Sequence, residues 1–266
     1  MMKNFKTNTS RFLLVTIAAL FCGGFTSSAQ TVKQNLNIVF IGNSITHGAN
    51  LDDPLDHAPP VIAAVYLRKQ ANIGTVNYSN QGYSGFTTVD FLPSTGTAFK
   101  KVEVATSAFE DKKAQLIFSI KLGTNDSAIE GPNGSPVAPG NYQQNLKTIV
   151  DNLLKEFPGC IIIFQHPIWY SPNTYNGAKY LQEGLSRLQS YIPLIDQLVA
   201  DYAQTHPKQV FVGDTDAFGY FKKNYLTDLT PEEGHQGTFY LHPNKKGAAA
   251  LGTFWAKAIL KVLKQR

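Results

Sequence analysis

Short unbroken apolar runs alternate along the chain with longer stretches whose apolar residues recur every three or four positions. Residues 36–41 (LNIVFI) read as a buried strand, and residues 60–71 follow with helical character after Pro59-Pro60, a pair suited to starting a helix. Further strands are expected at 75–79 (TVNYS), 115–122 (QLIFSIKL), 160–165 (CIIIFQ) and 209–214 (QVFVGD). Between them, residues 141–157 place Leu146, Ile149, Val150, Leu153 and Leu154 at helical spacing before Pro158-Gly159 ends the run. A long helical stretch covers 177–204, with a bend or break expected near Pro193. Residues 244–264 close with a helix whose apolar face includes Leu251, Phe254, Trp255, Ile259 and Leu260. Continuous apolar strands separated by helices predict a parallel sheet covered on both faces, with its site beyond the carboxyl ends of the strands. The Gly/Pro-rich stretch 130–140 reads as a surface loop, residues 86–114 resist assignment, and no internal repeat is visible.

The first residues change the picture of what folds. Lys3, Lys6 and Arg11 precede a short apolar run at 12–21, and Thr26-Ser27-Ser28-Ala29 offers small residues for cleavage after Ala29. Residues 1–29 therefore read as a secretory signal peptide, leaving 30–266 as one domain of 237 residues with no membrane span, exported to a bacterial periplasm or cell surface. The formal charge falls from +5 to +2 once that segment is removed, so the basic pI near 9.0 makes no case for nucleic acid. Cys160 is then the one cysteine left, too few for an internal disulfide, and its apolar run marks it as a core residue.

Each strand end carries polar residues that a core would not select. The first runs into Gly42-Asn43-Ser44-Ile45-Thr46, the second into Asn80-Gln81-Gly82-Tyr83-Ser84-Gly85, and the third into Gly123-Thr124-Asn125-Asp126. The last such block, His242-Pro243-Asn244, precedes the final helix. Taken singly these are weak signals: Ser44 could cap the next helix, the glycines could make an ordinary turn, and Asn125 could form an Asx-turn. His47, His57, His166, His206 and His235 show no metal-ligand spacing.

In order, the four blocks resemble the SGNH, or GDSL-type, hydrolase superfamily. The resemblance spans nearly all of 30–266 and implies a flavodoxin-like three-layer α/β/α fold, with a parallel sheet of about five strands, that hydrolyses esters through a serine. Carried over by position, Ser44 matches the nucleophile and His242 the base. The Ser44 and Gly85 amides and the Asn125 side chain match the oxyanion donors. This chemistry needs no metal or other cofactor. A serine hydroxyl is a weak nucleophile until a base takes its proton, and histidine titrates near neutrality.

Two positions depart from the pattern: mildly at Asn43, which stands where the family name has Asp, and more consequentially ahead of the base. Most members carry an Asp three residues before the base histidine, and here that residue is Phe239. Asp228, Glu232 or Glu233 from the preceding segment, or a backbone carbonyl, could orient His242 instead. A weak or inactive glycan-binding relative is the remaining reading. Tyr83 and Trp169-Tyr170 suggest aromatic stacking on a sugar, and HPIWYSPNTYN with TFYLHPNKKG looks similar to secreted bacterial sialate O-acetylesterase-like proteins. The expected substrate is accordingly a small-molecule or glycan ester, with O-acetyl groups on carbohydrate first. A lipase-, lysophospholipase- or thioesterase-like acylhydrolase is the alternative.

Overall fold

The computed structural model describes residues 1–4 and 33–265, so all but the first four residues of the expected signal peptide, with its cleavage site, lie outside the described residues. In chain order the elements begin with β1 (Gln34–Gly42), the one-turn helices α1 (Ser44–His47) and α2 (Pro54–His57), α3 (Pro59–Arg68) and β2 (Ile73–Gly82). A 3₁₀ turn at Pro93–Thr95 leads to α4 (Ala98–Ser107), β3 (Gln115–Lys121), α5 (Pro139–Glu156) and β4 (Ile161–Phe164). The chain then forms α6 (Leu181–Thr205), β5 (Val210–Val212), α7 (Ala217–Asp228), β6 (Leu229–Gly234), β7 (Gly237–Pro243) and α8 (Lys245–Lys264). Residues 86–114, opaque to pattern reading, thus hold α4 within the β2–β3 crossover.

Five parallel strands form the main sheet in the order β2-β1-β3-β4-β5. β1, β3 and β4 are almost wholly buried, as expected for strands covered on both faces. Phe40 of β1 stacks on Trp255 of α8, with ring centroids 5.9 Å apart, while Phe118 of β3 meets Phe157 just past α5 at 5.5 Å. The order reverses at β1: the chain passes to β2 on one side and returns to β3 on the other. That switch point opens a crevice at the carboxyl ends of the strands, where ligands bind in such sheets. The parallel sheet expected from the pattern is present, in the flavodoxin-like α/β arrangement that the resemblance implies.

Two expectations shift. The long helix begins at Leu181 rather than 177, because the chain just before it is engaged in bridges with Glu130 and Tyr175 through Lys179. It then runs through Pro193 without a break in the helix. The larger difference is an unforeseen two-stranded antiparallel hairpin, β6–β7, which pairs Gly234 with Gly237 across the two-residue connection His235-Gln236. Its first strand, LTPEEG, contains a proline and two glutamates and is half exposed, so it carries no continuous apolar run to detect. An isolated hairpin is marginal in water. This one is clamped by the segment after β4: Ser171 exchanges two hydrogen bonds with the Tyr240 backbone, and Asn173 Nδ2 donates to the Thr238 carbonyl at 2.9 Å.

Candidate active site

At the end of β1, Asn43 rather than Ser44 caps the following turn, its Oδ1 accepting from the Ile45 amide at 3.1 Å. The capping role open to Ser44 is therefore taken, and its hydroxyl is free for another partner. Gly42 lets the turn fold back tightly, since a Cβ there would lie 2.0 Å from Thr46 Oγ1. The partner of Ser44 Oγ is His242 Nε2, at 2.9 Å, reached from the end of β7.

His242 Nδ1 lies 2.9 Å from Glu232 Oε1, which also accepts from the His242 backbone amide at 3.3 Å. Glu232 sits on β6 directly opposite Phe239 in the hairpin register. The carboxylate missing from position 239 is thus supplied by its cross-strand neighbour. The other candidates are engaged elsewhere. Asp228 accepts from the Tyr220 hydroxyl at 2.6 Å and pairs with Lys246 at 2.7 Å, while Glu233 accepts from Thr238 Oγ1 at 2.8 Å. Asn50 Nδ2 also approaches His242 Nδ1, at 3.3 Å. A carboxylate can only accept and is the closer group, so Nδ1 carries the ring proton and donates it to Glu232 Oε1. Nε2 is then left unprotonated, facing the serine hydroxyl.

Asn125 follows β3 and is held from both ends of its amide: Nδ2 donates to the Phe86 carbonyl at 2.8 Å, and Oδ1 accepts from the Tyr180 hydroxyl at 2.8 Å. Burial pushes the Tyr180 phenol well up, so it remains a donor. The second N–H of Asn125 stays available to the cleft that it lines. Gly85 has φ +81°, a conformation that favours glycine, and its amide enters no backbone hydrogen bond among the described residues. The Gly85 loop is anchored behind by Thr88, whose amide and hydroxyl both donate to Asp126 Oδ1. Asp126 is fully buried, which raises its carboxyl to about 6. Lys121, buried at the end of β3, reaches Thr124 Oγ1 at 3.1 Å, and burial lowers its ammonium to about 7.

Ser44, Gly85, Asn125 and His242, all named from the sequence, line one cleft of about 650 Å³ together with Asn50, Asp90, Asn133, Asn176, Tyr180 and Glu232. The expected aromatic platform is not there. Tyr170 is fully buried, Trp169 packs on Tyr225, and Tyr83 packs with Phe86 and Phe91, so these rings serve the core and the hairpin. Glu232 stood among several possible acids in the sequence, whereas Tyr180, Asn50, Asp90 and Asn133 carry no local signal of a site.

The GDSL-like lipase/acylhydrolase family matches residues 40–250, nearly the whole of the folded region. The chain belongs to this family. Membership makes it an acylhydrolase, or carboxylic ester hydrolase, acting on small-molecule esters. Similar solved structures include a lipase/acylhydrolase from Enterococcus faecalis, with 18% identity, TM-score 0.56, and 84% of this chain covered against 94% of that one. A carbohydrate acetylesterase from Sinorhizobium meliloti matches at 15% identity and TM-score 0.56, covering 85% of this chain and 99% of the other. A putative arylesterase from Agrobacterium tumefaciens matches at 17% identity and TM-score 0.54, covering 85% and 99%. At these identities the likeness is one of fold. Comparison with curated protein sequences finds no match. Among the described residues, no helix of this acylhydrolase is long and apolar enough to cross a membrane.

Proposed function

We propose that the protein is a serine esterase that removes O-acetyl groups from carbohydrates through an acyl-enzyme, with Ser44 as nucleophile and His242 as base. The observation that carries this reading is the pair of 2.9 Å contacts that place His242 between Ser44 Oγ and Glu232 Oε1. As Oγ attacks the ester carbon, its proton passes to Nε2, and the imidazolium is stabilised by Glu232 through Nδ1–H. The carbonyl oxygen becomes an anion, met by the Ser44 and Gly85 amides and the second N–H of Asn125. His242 then returns the proton to the departing alcohol. Water repeats the sequence on the acyl-enzyme, releasing the acid and restoring Ser44. The lack of an acid at position 239 is the motive for a non-catalytic reading, and Glu232 at Nδ1 meets it.

Support for a sugar as the alcohol part comes from the amide-rich cleft and from the fold likeness to a carbohydrate acetylesterase. Residues 1–29 fit a cleaved leader, so the expected site of action is the periplasm or cell surface. The test is hydrolysis of p-nitrophenyl acetate, and acetate release from acetylated sialic acids, xylans and mannans, by wild type and Ser44→Ala. The expected result is turnover on acetyl esters that falls at least ~10³-fold in the variant with its fold intact. A preference for octanoyl or longer esters over acetyl would instead favour a lipase-like enzyme. Activity that survives Ser44→Ala would remove Ser44 from the chemistry.

A further inference from the structure

The reading above leaves open which sugars fit. The geometry points to an uncharged, hydroxyl-rich alcohol part, with Asp90 and Asn133 as the pair that sets specificity, and to discrimination against esters of anionic sugars. This deepens the proposed esterase reading and rests on it.

The cleft wall away from Ser44 is built from two segments that act as one. The Ile129 amide donates to the Lys179 carbonyl at 2.6 Å and the Lys179 amide to the Glu130 carbonyl at 3.1 Å, while Gly131 lies close against Ala178. Asp90 is fixed against this wall: Asn133 Nδ2 donates to its Oδ1 at 2.8 Å, and the Thr87 amide donates to its Oδ2 at 2.8 Å. Thr87 Oγ1 in turn donates to the Asn133 carbonyl at 2.8 Å. On the neighbouring segment, Asn176 Oδ1 accepts from the Ala178 amide at 2.9 Å. Each bonded group keeps capacity for a ligand: the second N–H of Asn133, the N–H pair of Asn176 and the unused lone pairs of Asp90. A wall of alternating donors and acceptors on rigid loops suits hydroxyls, which both donate and accept.

The same wall is wrong for an anion. Asp90 and Glu232 both line the cleft, and no Lys or Arg does so among the described residues. The lysines near its flanks are committed elsewhere. Lys179 pairs with Glu130 at 3.9 Å, and Lys101 lies over the half-buried Tyr83 ring at 4.6 Å. A substrate carboxylate would enter beside two like charges with no cation to receive it, a cost worth about a factor of ten or more in a partly enclosed site.

The test compares kcat/KM for acetate release from acetylated xylo- or manno-oligosaccharides with that from O-acetylated N-acetylneuraminic acid and O-acetylated galacturonate oligomers, at low and high salt. Neutral substrates should be favoured at least ~10-fold at low salt. The anionic rates should rise as salt screens the repulsion, while the neutral rates stay flat. Asp90→Asn should narrow the ratio several-fold, and Asn133→Lys should narrow it further by adding a cation without removing the carboxylate. Equal or better hydrolysis of the anionic esters, or anionic rates that fall with salt, would overturn the inference. The wild-type measurements decide even where a variant fails to fold. Ser44-dependent cleavage of p-nitrophenyl acetate with no sugar ester cleaved would sink this inference and leave an esterase standing. No Ser44-dependent hydrolysis of any ester would sink both.

Discussion

At the carboxyl edge of the parallel sheet, Ser44 and Asn125 each follow a strand paired on both sides, and Gly85 follows the edge strand β2, whose register is fixed by β1. The β6–β7 hairpin that carries Glu232 and His242 has only two strands, a proline and an irregularity in its pairing, and borrows its rigidity from Ser171 and Asn173. Half of the site thus rides on a deeply buried scaffold and half on a clamped flap. In the first half the donors are held by backbone and by groups behind them. In the second, an acid and an imidazole come from opposite strands, so their contact depends on pairing register. A one-residue slip in the hairpin would send the Glu232 carboxylate to the other face.

The largest expected effect tests the hairpin half. Glu232→Gln should lower kcat by about 10²–10⁴-fold with little change in KM, because the imidazole loses both its tautomer control and the charge that stabilises its cation. Glu233→Gln, one residue along and bonded to Thr238 instead, should leave kcat near wild type. Placing an acid at the position most relatives use, as Phe239→Asp in the Glu232→Gln background, should fail to restore activity. Phe239 is buried in the core, and an unpaired carboxylate there would unpack the hairpin. Rescue by Phe239→Asp, or equal losses for Glu232→Gln and Glu233→Gln, would break the contrast between the two halves. Steady-state kinetics on p-nitrophenyl acetate would decide.

A smaller effect is expected on the sheet half. Asn125→Ala should lower kcat by about 10²–10³-fold, the usual cost of one oxyanion donor. The Ser44 and Gly85 amides would remain in place, because the Gly85 loop is also tied down through Thr88 and Asp126. A loss as large as that of Ser44→Ala would mean that Asn125 holds the loop together rather than adding one donor.

The two halves also differ in how far they could be read in advance. β1, β3 and β4 are apolar runs bounded by turn residues, so their existence and the polar blocks after them follow from burial on two faces. The hairpin gives no such signal: Glu232 and Glu233 alternate across a half-exposed strand, and only pairing with β7 tells which one faces His242. Similarly, the aromatic tract after β4 suggested a sugar platform, yet Tyr170 is buried against Tyr180 and Trp169 packs on Tyr225, so neither ring lines the cleft. Side-chain type named the chemistry, whereas direction required the tertiary register. The acid wall of Asp90 is the extreme case, since it joins the loop after β2 to a Gly/Pro-rich loop 43 residues away in sequence.

The smallest predicted effect concerns a residue that touches neither serine nor imidazole. The Tyr180 hydroxyl donates to Asn125 Oδ1 and so decides which way the amide faces. With the hydroxyl gone, Asn125 keeps its bond to the Phe86 carbonyl, so the amide is loosened rather than released. Tyr180→Phe should therefore lower kcat by about threefold to tenfold, roughly the net worth of one hydrogen bond, while KM holds. The double variant Tyr180→Phe/Asn125→Ala should be no slower than Asn125→Ala alone, because the hydroxyl would then have no amide to orient. Additive losses in that cycle would show that Tyr180 acts on the substrate directly, and would move the cleft's inner wall into the binding half of the site.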